Sequence, residues 1–213
     1  MAAAAKAPAS LARQDGPLLI MNETGSKAPL IWCFNTWAEA LLLGRSLDPN
    51  QPLIAMISLN FITMPEPRKA LIYPNLIKTL TEKVEAYAGD GPFVVGGHCN
   101  AARVAEGVAH RLFFKTMRCP LLILLEHVPV HAYPGNILML FSTQSKLNPF
   151  THGHDFEQNW RVVHGSPRWG FIDADHMRLF VNPGLAQLSQ HVKMALEAFN
   201  ADGQIDTGLQ ELE

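Results

Sequence analysis

Cysteine is scarce in this chain, and neither sign of charge dominates. Cys33, Cys99 and Cys119 are the three cysteines among 213 residues. An odd number without regular spacing excludes a disulfide framework and fits a reduced, cytoplasmic setting. Lys and Arg total 17 against 19 Asp and Glu, a formal net charge of -2. That near balance gives no electrostatic reason to expect a nucleic-acid partner. No run of about 20 apolar residues occurs, so no membrane span is expected. Internal repeats and a convincing interior linker are absent as well. His152 and His154 form an H-x-H pair, but no further ligands follow at metal-site spacing, so no metal is expected.

What is present is a domain-sized, globular composition. Hydrophobic residues make up 48% of the chain and charged residues 17%, enough for one sizeable core. Met1–Ala9 is rich in alanine and lacks a long apolar stretch, so it reads as a tail rather than a secretory signal. The expected organisation is a flexible tail over residues 1–16, one domain over 17–199 and a second flexible tail over 200–213. Short apolar runs alternate with longer helical patterns, which points to a mostly parallel sheet covered by helices on both faces. Expected strands are Pro17–Met21, Leu30–Phe34, Leu53–Ser58, Phe93–Gly96, Leu121–Leu125, Ile137–Ser142 and Trp169–Ile172. Expected helices are Trp37–Leu47, Leu71–Ala88, Ala101–Phe114, a short one near Phe156–Val163, and Gly184–Phe199.

The sharpest feature is Gly96-Gly97-His98-Cys99-Asn100-Ala101-Ala102. An apolar strand pattern leads in and a helical pattern leads out. Strand, tight turn with small residues, then helix is the setting of a nucleophile elbow, usually written G-x-S-x-G. Here sulfur stands where oxygen is expected, and a thiolate is the stronger nucleophile and better leaving group. Gly97 and Ala101 leave room for the backbone crossing. The Asn100 N–H, at the start of the next helix, is a candidate oxyanion donor. A second donor is expected after Leu30–Phe34, from the Asn35-Thr36-Trp37 backbone. Cys33, within an apolar strand, and Cys119, in a turn, read as structural.

A cysteine nucleophile needs an imidazole held by a carboxylate, and behind an elbow of this type the chain order is nucleophile, acid, His. His176 fits the base: Trp169–Ile172 is strand-like, residues 173–176 are a loop, and a helix follows Pro183. His98 is expected to point away from the turn, and His110 and His191 to be surface or packing residues on helices. For the acid, Glu126 ends the apolar run Leu121–Leu125, far enough past residue 99 for one helix and one strand. A carboxylate placed there needs a partner. Asp155, Asp173 and Asp175 compete with it, although Asp175 is more often a loop-capping residue. The slot after the next strand, Ser142-Thr143-Gln144-Ser145, holds no acid.

Pro29–Phe34, Gly91–His98, Tyr133–Ile137 and Asp175-His176 together resemble the thioesterase domains of nonribosomal peptide and polyketide synthases, which are α/β-hydrolases. The likeness covers roughly residues 17 to 199. It implies release of an acyl chain from the phosphopantetheine arm of an acyl or peptidyl carrier protein, by hydrolysis, cyclisation or transfer. It implies Cys99 as acyl acceptor, Glu126 as acid and His176 as base, with no bound cofactor. Three departures stand out. Cysteine replaces serine. Asn35-Thr36-Trp37 replaces a glycine-rich oxyanion loop. Only His127 to Asn136 separate Glu126 from the next strand, so the helical lid of the family is deleted and the site is open or closed by a partner. A second copy of the chain is one way to cover such a rim. Two other readings remain: a cysteine α/β-hydrolase acting on a free ester or lactone, and a non-catalytic binding subunit on a thioesterase fold.

Overall fold

Four strands, β3 (Leu30–Phe34), β5 (Val94–His98), β6 (Leu121–Leu125) and β7 (Ile137–Ser142), are buried at every position. They are apolar at nearly every position, as strands covered on both faces must be. They form the middle of an eight-stranded sheet in a computed structural model that describes residues 12–59, 66–151 and 167–202. The remaining strands are β1 (Arg13–Asp15), β2 (Leu18–Met21), β4 (Leu53–Ile57) and β8 (Arg168–Ile172). The order is β1-β2-β4-β3-β5-β6-β7-β8. β1 and β2 run antiparallel to their neighbours, and every other pair is parallel. The expected α/β-hydrolase architecture is therefore the observed one.

Alternate residues of each strand feed separate cores. Ile31, Cys33, Val95, Leu122 and Leu124 pack on one face with Val104, Val108 and Leu112. These last belong to α3 (Asn100–Thr116), which lies beside α2 (Glu66–Ala88). Trp32, Phe34, Val94, Ile123 and Leu125 pack on the other face with Ala40, Leu43, Leu188 and Val192. Those come from α1 (Trp37–Ser46) and α4 (Gly184–Asp202). The chain thus reverses direction across the sheet between β3 and β5, and ligands in open α/β sheets bind outside the strand ends at such a switch point.

The elements follow the sequence expectation with local corrections. Arg13–Asp15, assigned above to the tail, is an edge strand paired with Leu18–Ile20. Its three polar residues carry no hydrophobic pattern. Distant partners hold it: Arg13 pairs with Glu23 at 2.6 Å, and the Tyr87 hydroxyl donates to Asp15. Strand β5 runs on to His98, α2 begins at Glu66, and α4 runs to Asp202, past the expected start of the C-terminal tail. The helix expected near Phe156–Val163 lies outside the described residues, as do His152, His154 and Asp155.

Residues 126–136 join the parallel strands β6 and β7 without a helix, an unusually short crossover. Glu106 of α3, 1% exposed, anchors it. Its Oε1 accepts from the Val130 N–H (2.9 Å) and the His131 N–H (2.8 Å), and Oε2 lies 3.3 Å from His127 Nε2. The buried Tyr133 closes the segment by donating to the Pro120 carbonyl at 2.7 Å.

Candidate active site

The parallel register brings five strand ends to one edge. Cys33 pairs with Gly97, His98 with Leu125, Leu125 with Leu140, and Ser142 with Ile172. The residues after these strands, Asn35, Cys99, Glu126, Ser145 and His176, therefore share one neighbourhood.

Cys99 occupies a backbone conformation of φ 51° and ψ -124° immediately before α3. A non-glycine residue in this region is strained and persists only where its surroundings impose it. The Cys99 N–H donates to the Leu125 carbonyl at 2.7 Å, and the Ala102 N–H donates back to the Cys99 carbonyl at 3.0 Å. A Cβ on Gly97 would lie 2.7 Å from Ala102 Cα and 2.9 Å from Ala105 Cβ. The helix crosses the strand too closely for any other residue there. The thiol is half-buried. Burial raises its pKa, the Asn100 N–H opposes that, and the charges of Glu126 and Glu39 add to it. At rest Cys99 is a neutral thiol.

Glu126, 3% exposed, has a left-handed φ of 56° at the end of β6. The Ser142 N–H donates to Oε1 and the Ser145 hydroxyl to Oε2. His176 Nδ1 donates to the same Oε2 at 3.2 Å. The slot without an acid, Ser142 to Ser145, thus supplies the donors that satisfy the acid from the preceding strand. His176 lies on a single 3₁₀ turn, His176–Arg178, capped by Asp175, whose Oδ1 accepts from the Met177 N–H at 2.9 Å. Asp175 therefore serves the loop, and Asp173 accepts from Thr143 and Gln144 instead of from an imidazole. No hydrogen bond links Cys99 Sγ to His176 among the described residues. Catalytic contacts are often long before substrate binds.

His98 departs from expectation. Its ring packs 5.3 Å from the His176 ring and 5.1 Å from Phe180, centroid to centroid. Burial, then the His176 charge, pushes its pKa down to about 3, so it stays neutral. His110 and His191 are packing residues, as expected. His110 lies against Phe114 and Tyr133, and His191 Nε2 is 3.1 Å from the Phe171 carbonyl.

The oxyanion loop also differs from expectation. The Thr36 N–H, expected to face an oxyanion, donates to Glu39 Oε2 at 3.3 Å, and the Asn35 N–H donates to the same atom at 3.0 Å. The cause is a capping box: Glu39 is the third residue of α1, and Thr36 Oγ1 accepts from the Glu39 N–H in return. Thr36-Trp37-Ala38-Glu39 fits the S/T-x-x-E pattern, a signal the sequence reading passed over. Trp37 opens α1 and is partly exposed. A cleft of about 310 Å³ opens beside His176, lined by Ser145, Lys146, Leu147, Asp175 and Met177 among others. Among the described residues no group of three or more His, Cys, Asp or Glu could hold a metal, and no helix is long and apolar enough to cross a membrane.

At the level of sequence no family model matches the chain, and no curated protein matches it. The fold does match solved structures. The NocB thioesterase domain from the nocardicin cluster superposes with a TM-score of 0.66 at 14% identity, covering 86% of this chain and 100% of that one. The SrfTE thioesterase domain, which cyclises the lipopeptide antibiotic surfactin, gives 0.61 at 12%, covering 84% and 94%. The wild-type Vlm2 thioesterase domain gives 0.58 at 14%, covering 79% and 92%. The chain has a thioesterase-like α/β-hydrolase fold. At these identities the likeness defines the fold and leaves the chemistry to the site.

Proposed function

We propose that the chain is a thioesterase-fold acyl-transfer enzyme. Cys99 takes an acyl group from a phosphopantetheine thioester on an acyl or peptidyl carrier protein and passes it on. The observation that carries this reading is the buried Glu126 holding His176 beside the strained turn of Cys99. In the first step His176 Nε2 takes the thiol proton as Sγ bonds to the thioester carbon. Glu126, bound at Nδ1, fixes the ring and stabilises the imidazolium. The Asn100 N–H, with Trp37 across the switch point, is the donor set assigned to the oxyanion. The C–S bond to pantetheine then breaks, and the imidazolium returns the proton to the departing thiol.

Exchange of one thioester for another is nearly thermoneutral, so the acyl group on sulfur stays more reactive toward amines and carbon nucleophiles than an ester would. That favours transfer or cyclisation over hydrolysis. A site with no helix inserted between β6 and β7 admits water more readily and favours the opposite. The neighbouring domains lend support: one NocB structure is a covalent complex with a fluorophosphonate analogue of nocardicin G, and Vlm2 structures hold depsipeptides. A peptide-like acyl group is the corresponding donor here.

Two rival readings are kept. A cysteine hydrolase acting on free esters or lactones would turn over small soluble esters with no carrier protein. A non-catalytic binding subunit is favoured by the missing Cys99–His176 hydrogen bond and by the carboxylate on the oxyanion loop. Intact mass after incubation with an acylated carrier protein separates the readings. The proposal expects an added acyl mass on the wild type and none on Cys99→Ala. If the wild type stays unmodified while still binding the carrier, the binding subunit is the better description.

A further inference from the structure

The loop between β3 and α1 carries an anion of its own. Glu39 folds back so that Oε2 accepts from the N–H groups of Asn35 and Thr36, at 3.0 and 3.3 Å. Its Oε1 accepts no hydrogen bond from a described residue. The loop is fastened to the elbow: Asn35 Nδ2 donates to the His98 carbonyl at 3.2 Å, and Asn35 Oδ1 accepts from the Ser58 hydroxyl at 3.2 Å. His98 immediately precedes Cys99. The N–H groups after this strand are where an α/β-hydrolase receives the charge of a tetrahedral intermediate. In this chain a carboxylate is already bound to two of them.

We propose, resting on the acyl-enzyme reading above, that Glu39 is an internal anion of the oxyanion loop that sets the rate of attack by Cys99. Ionised, it opposes the negative charge that develops as sulfur bonds to the thioester carbon. Neutral, it releases that opposition while its oxygen still orders the loop. The reacting bonds are unchanged: S–C forms, the pantetheine C–S bond breaks, and the proton travels through His176 to the leaving thiol. Glu39 exchanges no proton with the substrate, and so it acts as a positioning and tuning residue.

The groups facing Glu39 agree in sign. Burial is the main cause that pushes Cys99, from the β5–α3 turn, and Cys33, from β3, toward the neutral thiol, and the charge of Glu39 adds to it in both. His176, from the loop after β8, interacts favourably with it. Burial holds the Glu39 carboxyl above the usual carboxylate range, and the Asn35 and Thr36 N–H groups only partly offset that. The carboxyl therefore becomes neutral as pH falls, at a less acidic pH than an exposed glutamate requires.

Glu39→Gln is the test, because glutamine also closes a capping box and only the charge is removed. Single-turnover acylation of Cys99 by an N-acetylcysteamine thioester is followed by intact mass from roughly pH 5 to 9. Requirements that both proteins share cancel in the ratio of variant to wild type. The ratio should be smallest at the acidic end and climb to about tenfold at the alkaline end, the scale of a charge–charge interaction in a partly buried site. A ratio at or below one throughout overturns the proposal. A purely structural glutamate would leave Glu39→Gln near wild type at every pH while Glu39→Ala is slowed, and that result overturns it too. Alkylation of Cys99 by iodoacetamide, on a Cys119→Ser background, reads the same charge without a thioester. Its pH midpoint should fall in Glu39→Gln, and an unmoved midpoint counts against the proposal. If neither protein is acylated while the midpoint still falls, the acyl-enzyme reading fails and the charge of Glu39 on Cys99 stands.

Discussion

Residue 99 carries its sulfur on a strained, half-buried turn. Its positive φ sits at the close crossing of strand and helix, and burial first, then the charges of Glu126 and Glu39, push the thiol toward its neutral form. The proposed attack therefore needs a base, and the only carboxylate-held imidazole in this neighbourhood, among the described residues, is His176. Glu126→Gln should lower Cys99 acylation about 10² to 10³-fold, because the amide cannot stabilise an imidazolium. Acylation rates for the two proteins at matched substrate check this, and an unchanged rate removes Glu126 from the proposed triad. At this scale much was legible. Cys99 is announced by Gly96-Gly97, and Glu126 by a charge following five apolar residues. Glu39 was legible only as a helix cap. Its effect on Cys99 arises because β3 and β5 are neighbours, a relation that no stretch of consecutive residues encodes. His98 was misjudged for the same reason, since its direction depends on Phe180 and His176 arriving from the far end of the chain.

Between elements, the β6–β7 connection shows how a short crossover is stabilised. Without a helix, its backbone N–H groups need acceptors, and the buried Glu106 on α3 supplies them. Burial alone would raise the Glu106 pKa. Hydrogen bonds from His127 and from the His131 and Val130 N–H groups outweigh that and hold it below the usual range. A carboxylate depressed in this way stabilises the fold above its unfolded pKa of about 4.3. The contribution is lost as pH falls through the lower folded value. Glu106→Gln should cost about 1–3 kcal/mol near neutral pH, measured by urea unfolding, and the gap to wild type should close as pH drops below about 4. A gap that persists in acid would assign the loss to packing. The sequence showed that this connection was short but not what held it, because Glu106 lies on a helix whose periodicity explains only its apolar residues. The central strands were readable from their unbroken apolar runs. The three-residue edge strand β1 was not, since it depends on Tyr87 and Glu23 rather than on its own residues.

For the whole molecule, the decisive arrangement is that strands β3, β5, β6, β7 and β8 end at one edge with no helix inserted between β6 and β7. Exposed apolar side chains follow several of these strands, among them Val130, Leu147 and Met177. A site bordered in this way should admit bulky reagents. On a Cys119→Ser background, a polyethylene-glycol maleimide should modify Cys99 at a rate within about tenfold of a small maleimide, whereas a covered thiol would favour the small reagent far more. Gel-shift time courses decide between the two. Cys33, wholly buried and pushed far toward its neutral form, should stay unmodified. The fold class could be read from alternating strand and helix patterns. The convergence of the site could not, because it comes from the order of strands across the sheet.

The Glu106 anchor has a consequence for how this scaffold can change. Upstream, Glu126 is fixed by the Leu140 carbonyl and by Ser142 and Ser145. Downstream, Tyr133 is tied to Pro120. Between His131, the last residue gripped by Glu106, and Tyr133 stands only the exposed Ala132. This one residue is a permissive splice point: extra chain grafted there would not pull on Glu126, so an insertion can be gained or shed while the contacts of that carboxylate keep their geometry.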